Sequence, residues 1–390
     1  MHLNFENTAI AFELKTDSEL ERAYFLFKLI ANEPLVRIGT AVTNFAIKAH
    51  LPVEGLIRAT VFDHFCGGTT EEDCLSIIDK MHQKGVCSIL DYSVEGKEVE
   101  DQFDFALNKT LDVLDFVKEK DAIPFAVFKP TGFGRFELYE KVSTGKLLSA
   151  DEQAEWSRIA DRYDKVCKKA FDLDVALLID AEESWMQQAA DDLALDMMRK
   201  YNKEKVVVYN TAQMYRWDRL NFIKELNETA SLEKFKVGLK VVRGAYMEKE
   251  NERAKEMGYP TPICESKQAT DENFDAAISF MAENLDRMSI FAGTHNELSC
   301  MKLVEFMEQK QLDNNHRSIW FGQLYGMSDH ITYNLSASGY NAAKYVPYGP
   351  VRDVMPYLIR RAEENTSVAG QTSRELALLQ KEKKRRKLED

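Results

Sequence analysis

From residue 85 onward the chain alternates between two textures, and that alternation most constrains its fold. Short apolar or β-branched runs fall at 87–92 (CSILDY), 123–129 (IPFAVFK), 175–180 (VALLID), 206–211 (VVVYNT), 236–243 (KVGLKVVR), 288–294 (MSIFAGT), 318–323 (SIWFGQ) and 343–346 (AKYV). A helical stretch follows each, at 102–119, 150–171, 185–200, 216–227, 271–284, 297–309, 329–337 and 352–364. Near-continuous apolar strands covered by helices imply a parallel sheet. Eight such β/α units favour a closed (β/α)8 barrel, TIM-like, over an open doubly wound sheet. Residues 1–84 read instead as an N-terminal helical arm. Apolar residues recur at helical spacing in 19–31, 35–50 and 52–65, and Thr70 is placed to cap a helix starting near Glu71. The expected organisation is thus an arm (1–84), a catalytic barrel (85–366) and a basic tail (367–390), disordered at its end.

Composition removes several function classes. The chain has 390 residues, is 45% hydrophobic and carries a net charge of −13. That core is large, and that charge argues against general nucleic-acid binding. The run KEKKRRK at 381–387 is the exception. A solvated tail is its ordinary explanation, and a weak contact with an anionic membrane surface is the functional one. No apolar run approaches a membrane span. The first twenty residues have no basic-then-apolar order, so neither a secretory signal nor a transit peptide is expected. Six cysteines without a C-x-x-C pair and seven histidines without a ligand motif lead us to expect free thiols and no metal. No G-x-G-x-x-G follows a strand, and 132–134 (GFG) reads as a turn.

In such a barrel, reactive groups sit at the C-terminal ends of the strands. Here those ends carry Asp91, Lys129, Asp180, Glu182, Glu183, Thr211, Gln213, Lys240, Arg243, Tyr246, Thr294, His295, Asn296, Gln323, Tyr345 and Tyr348. One polar strand end is ordinary; eight converging on one mouth suggest a site. After the eighth strand, Tyr357, Arg360, Arg361 and Glu364 follow at i, i+3, i+4, i+7, one face of a helix. An adjacent Arg pair can clamp a small carboxylate or phosphate. A salt-bridged, solvated helix surface is the competing explanation. The residues alone fit a small anionic substrate with a large polar cofactor, a Schiff-base aldolase using Lys129 or Lys240, or a phosphate-binding isomerase.

Six segments carry a resemblance. LDYSVEG (90–96), LLIDAEES (177–184), YNTAQMY (209–215), KVVRGAYMEKE (240–250), FAGTHNE (291–297) and YLIRRAEENTS (357–367) together resemble proline dehydrogenase, in family order, over about residues 30–370. The one-enzyme form is expected, without fused aldehyde dehydrogenase or DNA-binding domains. The resemblance implies a distorted flavin-binding barrel that oxidises L-proline to Δ1-pyrroline-5-carboxylate through FAD, with a membrane quinone as acceptor. It implies a cytoplasmic protein, peripheral at the inner face of the membrane. Arg360 and Arg361 match the pair that binds the substrate carboxylate, and Glu364 the carboxylate near them that also reaches the flavin. Tyr345 and Tyr357 match aromatics over the substrate ring; Lys129 and Asp180 match a pocket lysine–aspartate pair. Gln213, His295 and Asn296 match residues around the flavin, joined by Thr294. Val242, Arg243, Gly244, Ala245 and Tyr246 match the cofactor-lining loop. Lys240 stands where bifunctional relatives carry an arginine facing flavin N5. Leu324 or Met327 is expected as an apolar wall. A hydroxyproline dehydrogenase is the nearest alternative.

Overall fold

Each β-branched or aromatic run forms a strand in the computed structural model. The strands are β1 (Val86–Tyr92), β2 (Phe125–Phe128), β3 (Ala176–Ile179), β4 (Val208–Gln213), β5 (Val237–Val242), β6 (Met288–Gly293), β7 (Ile319–Leu324) and β8 (Ala342–Tyr348). They close into one barrel in sequence order. The pairing is parallel and in register, for example Thr211 with Lys240, Lys240 with Phe291, and Ile89 with Tyr345. With helices between the strands, this is the (β/α)8 architecture. The structure describes residues 3–32, 34, 54–93, 98–367 and 371–388, with the backbone alone at 56, 59, 362–367 and 371. The helix expected at 35–50 lies outside the described residues.

The chain divides into two compact units, Gly96–Phe321 and Met1–Glu95 with Gly322–Asp390. In the first, aromatic side chains fill the interior. Phe125 of β2 meets Tyr209 of β4, Phe291 of β6 and Trp320 of β7 edge-on, with ring centroids 5.8, 5.3 and 5.1 Å away. Strands that are not neighbours can meet this way only across the barrel axis. The plug leaves the opposite, C-terminal strand ends for polar groups. The surrounding helices start on strong signals. Ser149 and Glu152 form a capping box on Ala150–Leu173, and Ser266 caps Lys267–Glu283. Two helices of this unit were not expected from the sequence. Met247–Met257 (MEKENERAKEM) is so charged that no apolar stripe marks it, and Phe136–Ser143 spans only two turns.

In the second unit, Thr70 caps Glu71–His82 through a capping box with Asp73, the start expected from sequence. Helices Asp17–Ile30, Met355–Ser367 and Gln371–Arg386 share a core of Leu20, Leu26, Phe27, Ile30, Met355, Tyr357, Leu358, Leu378 and Leu379. The tail is helical over Gln371–Arg386, and residues 389–390 lie outside the described residues. Its leucines are buried, and its charges find partners near the N-terminus. Lys381 bonds Glu6, while Arg386 reaches Phe12 O, Lys15 O and Asp17. A basic run read alone suggests solvation; the acidic partners lie over 360 positions earlier. Behind β8 this unit also buries a charge network. Lys344, 0% exposed, pairs with Asp329 at 2.9 Å, and Lys15 meets the same carboxylate at 3.1 Å.

Candidate active site

Three strand ends of the first unit build one charged cluster. Lys129 follows β2 directly. Pro130 behind it cannot extend the ladder, so the chain turns there through Pro130–Gly132. Asp180 follows β3, and Lys240 lies within β5. Lys240 hydrogen-bonds Asp180 Oδ1, and Lys129 Nζ lies 3.4 Å from Oδ2. Because β3 and β5 are not neighbours, the Lys240–Asp180 contact crosses the barrel interior. Burial alone would raise the Asp180 carboxyl; Lys240 and then Lys129 outweigh it and hold it below its ordinary range. Two ammonium groups thus meet at one carboxylate. The pairing of Lys129 with Asp180 was expected. Lys240 joining the same carboxylate was not.

Sequence reasoning placed Glu182 at a strand end but gave it no role. It is 7% exposed, and both its oxygens contact Thr131: Oε2 accepts from the backbone N–H at 2.9 Å, and Oε1 lies 2.7 Å from Oγ1. Its own N–H donates to Gln187 at 2.8 Å, and its carbonyl accepts from Gln213 Nε2 at 2.6 Å. Burial pushes its carboxyl up to about 7, against the hydrogen bonds from Thr131. In DAEES nothing distinguishes this acid from Asp180 or Glu183. The one signal, Thr131 immediately after Lys129-Pro130, lies 51 positions away.

The expected cofactor residues gather at the ends of β4, β5 and β6. Gln213 ends β4 and is buried; Val242 ends β5. Arg243 donates from Nε to Asp271 at 2.6 Å, from Nη1 to Thr294 Oγ1 at 2.7 Å and from Nη2 to Ser299 Oγ at 3.0 Å, and lies over the Phe274 ring. Gly244 has φ +132, and a Cβ there would sit 2.6 Å from the Tyr215 ring. Only glycine fits. Ala245 and Tyr246 lead into Met247–Met257. Thr294 is buried after β6, and His295 is half-buried. Asn296 caps Glu297–Gln309, accepting from Ser299 N at 3.1 Å.

The remaining candidates belong to the second unit. Tyr345 of β8 is 8% exposed, and Tyr357 and Arg361 are 5% and 9% exposed on Met355–Ser367. Arg361 lies over the Tyr357 ring at 5.3 Å, the i, i+4 neighbour on its face. Burial of both excludes a solvated helix surface at these positions; Arg360 is half-buried. The Glu364 backbone is helical, and its side chain lies outside the described residues. Met327 is buried in the core of this unit, with Leu324 packed against it.

Known proteins match both the sequence and this architecture. The family model "Proline dehydrogenase" matches residues 74–374. The carbapenem antibiotics biosynthesis protein CarD of Pectobacterium carotovorum subsp. carotovorum is 37% identical over 362 residues, which cover 92% of this chain and 94% of that protein. Proline dehydrogenase 1, mitochondrial, of Dictyostelium discoideum is 30% identical, over 86% of this chain and 66% of its own length. Among solved structures, proline utilization A (PutA) of Bdellovibrio bacteriovorus, inactivated by N-propargylglycine, superposes with a TM-score of 0.72 at 18% identity. That match covers 92% of this chain and 38% of the PutA chain.

Proposed function

The chain belongs to the proline dehydrogenase family, and on that premise we propose that it oxidises L-proline to Δ1-pyrroline-5-carboxylate, with FAD as cofactor and a membrane quinone as electron acceptor. The observation that carries this reading is the Lys129–Asp180–Lys240 cluster, where two lysines from different strands converge on one carboxylate. The donor set suits a flavin. Gln213 offers an amide, Lys240 a cation and Thr294 a hydroxyl, and Gly244 lets the loop pass close against the Tyr215 ring. Gln213, Lys240, the loop 242–246 and 294–296 are the residues proposed to hold FAD.

FAD supplies the two-electron oxidising power when bound; this chain's residues bind, orient and exclude water. Arg360 and Arg361 are the proposed ligands of the substrate carboxylate. A guanidinium as buried as that of Arg361 makes stronger charge-assisted hydrogen bonds than a surface one. Tyr345 and Tyr357 are proposed to shield the substrate ring. Lys240 and Lys129 hold Asp180 ionised and keep a fixed field at the strand ends without reorganisation. Among the described residues no helix is long and apolar enough to cross a membrane, so the proposed route to quinone is peripheral.

Anaerobic mixing of the purified, flavin-loaded protein with L-proline tests the proposal. Loss of the oxidised-flavin absorption, restored by a soluble quinone and not by NAD+, is expected. A colourless protein, or one trapped covalently by borohydride with a carbonyl substrate, overturns it. Parallel runs with trans-4-hydroxyproline separate the two related substrates.

A further inference from the structure

The turn 324–328, where β7 gives way to Asp329–Ala337, is held by buried polar groups that the proposed mechanism does not use. Lys344, buried on β8, donates to Leu324 O at 3.4 Å and to Met327 O, and pairs with Asp329 Oδ1 at 2.9 Å. The three donors of one ammonium match these three oxygens. From the arm, His64 Nε2 lies 3.0 Å from Gly326 O, and Lys15 meets Asp329 Oδ2 at 3.1 Å. From the tail helix, Glu375 accepts from Ser328 N at 3.3 Å. Gly326 has φ +78, and a Cβ there would come within 2.3 Å of His64 O. Ser328 has φ +51, a left-handed conformation that a serine keeps only where its surroundings hold it.

This turn touches the residues proposed to cover the substrate ring. Tyr325 N donates to Tyr345 O at 2.8 Å, and Met327 is buried in the same core as Tyr357. Successive strand residues point to opposite faces, so Lys344 works behind β8 while its neighbour Tyr345 faces the other way. We propose that Lys344 is a positioning and specificity-determining residue for the proposed proline oxidation: its ammonium fixes the turn 324–328, and through that turn the placement of Tyr345 and Tyr357 against the substrate ring. The arm and the tail serve the same turn through His64, Lys15 and Glu375. The inference rests on the proposed function for its substrate and on these hydrogen bonds for its geometry.

A buried ammonium persists only where it is paired and hydrogen-bonded. Asp329 supplies the pairing. Burial alone would raise its carboxyl; Lys15 and then Lys344 outweigh that and hold it below its ordinary range. Without the ammonium, Leu324 O and Met327 O each lose a donor, and the turn shifts toward other partners. Proline and a ring-hydroxylated proline differ by one hydroxyl. A wall displaced by that much changes which of them fits, and a difference of this size in a pocket is worth about 10–200-fold in selectivity.

The test compares wild type, Lys344→Met and Lys344→Met/Asp329→Asn as flavin-loaded enzymes. The readout is the ratio of kcat/KM for L-proline to that for trans-4-hydroxyproline. A smaller folded fraction lowers both values equally, so lost stability alone leaves the ratio where it was. Lys344→Met is expected to reduce the ratio roughly tenfold or more. The double variant removes the carboxylate together with its lysine, so it should regain part of the urea stability and none of the ratio. It also carries the measurement if the single variant does not fold. A ratio at the wild-type value in either variant overturns the inference, and so does a ratio that recovers with stability. Hydrogen exchange decides the clamp without substrate. The amides of 325–328 should exchange roughly tenfold faster in both variants, and unchanged exchange overturns the inference. If the wild type does not oxidise proline, the proposed function fails and takes the specificity role with it, while exchange at 325–328 still decides whether Lys344 holds the turn.

Discussion

At the scale of single residues, this protein places acids where burial decides their behaviour. Asp180 and Glu182 are separated by one alanine, yet their carboxyls are displaced in opposite directions. Two lysines flank the first; apolar burial dominates the second. For Asp180, replacement by Ala leaves two ammonium groups facing each other. That change should cost about 3–5 kcal/mol in urea unfolding, with activity lost. A cost no larger than that of an exposed Asp→Ala change would show that the cluster does not form. For Glu182 the linkage has the opposite sense. Its folded pKa lies above the unfolded value near 4.5, so its contribution to stability is full below about 4.5 and is lost as pH rises through about 7. Relative to Glu182→Gln, the wild type should lose on the order of 3 kcal/mol across that window, measured by urea midpoints at pH 4.5 and 8. The Arg pair gives a third expectation. Arg361→Met should retain flavin and raise KM for proline roughly tenfold or more. An unchanged KM would remove Arg361 from the substrate site. What the sequence revealed at this scale was residue type and strand-end position. What it hid was which of three neighbouring acids hydrogen-bonds Thr131, because that depends on a turn 51 positions earlier.

At the scale of elements, the strands were the legible part. Parallel strands buried on both faces are apolar throughout, so eight runs announced themselves whatever lay around them. Helices with an apolar stripe or a cap were legible too, and Glu297–Gln309 and Asp329–Ala337 have the expected bounds. Met247–Met257 escaped because seven of its eleven residues are charged, and the tail helix because its run of cations masks the leucines before it. Leu378 and Leu379 are each 1% exposed, so Leu379→Ala should destabilise the protein by about 2–5 kcal/mol. Urea unfolding with less than half a kcal/mol of change would mean that the helix does not dock. The same docking narrows any electrostatic attraction to membranes. Lys381 and Arg386 are held by Glu6 and Asp17, whereas Lys384 and Lys387 are exposed. Charge reversal of these two should reduce co-sedimentation with anionic liposomes at low salt, each contributing up to about 1 kcal/mol. Equal sedimentation would exclude the tail as a membrane contact.

At the scale of the whole molecule, the two compact units differ in how the chain supplies them. Gly96–Phe321 is one uninterrupted stretch; the other unit joins Met1–Glu95 to Gly322–Asp390. Within the discontinuous unit, β1 pairs with β8 along its full length, and Gln371–Arg386 packs on Asp17–Ile30. During synthesis, then, the earliest-made residues wait longest for their partners. A ribosome adding about 5–20 residues per second takes on the order of tens of seconds to deliver the tail helix after the first helix emerges. Throughout that interval the apolar face of Asp17–Ile30 has no docking partner from the tail, and it is a natural client for chaperones that shelter nascent hydrophobic segments.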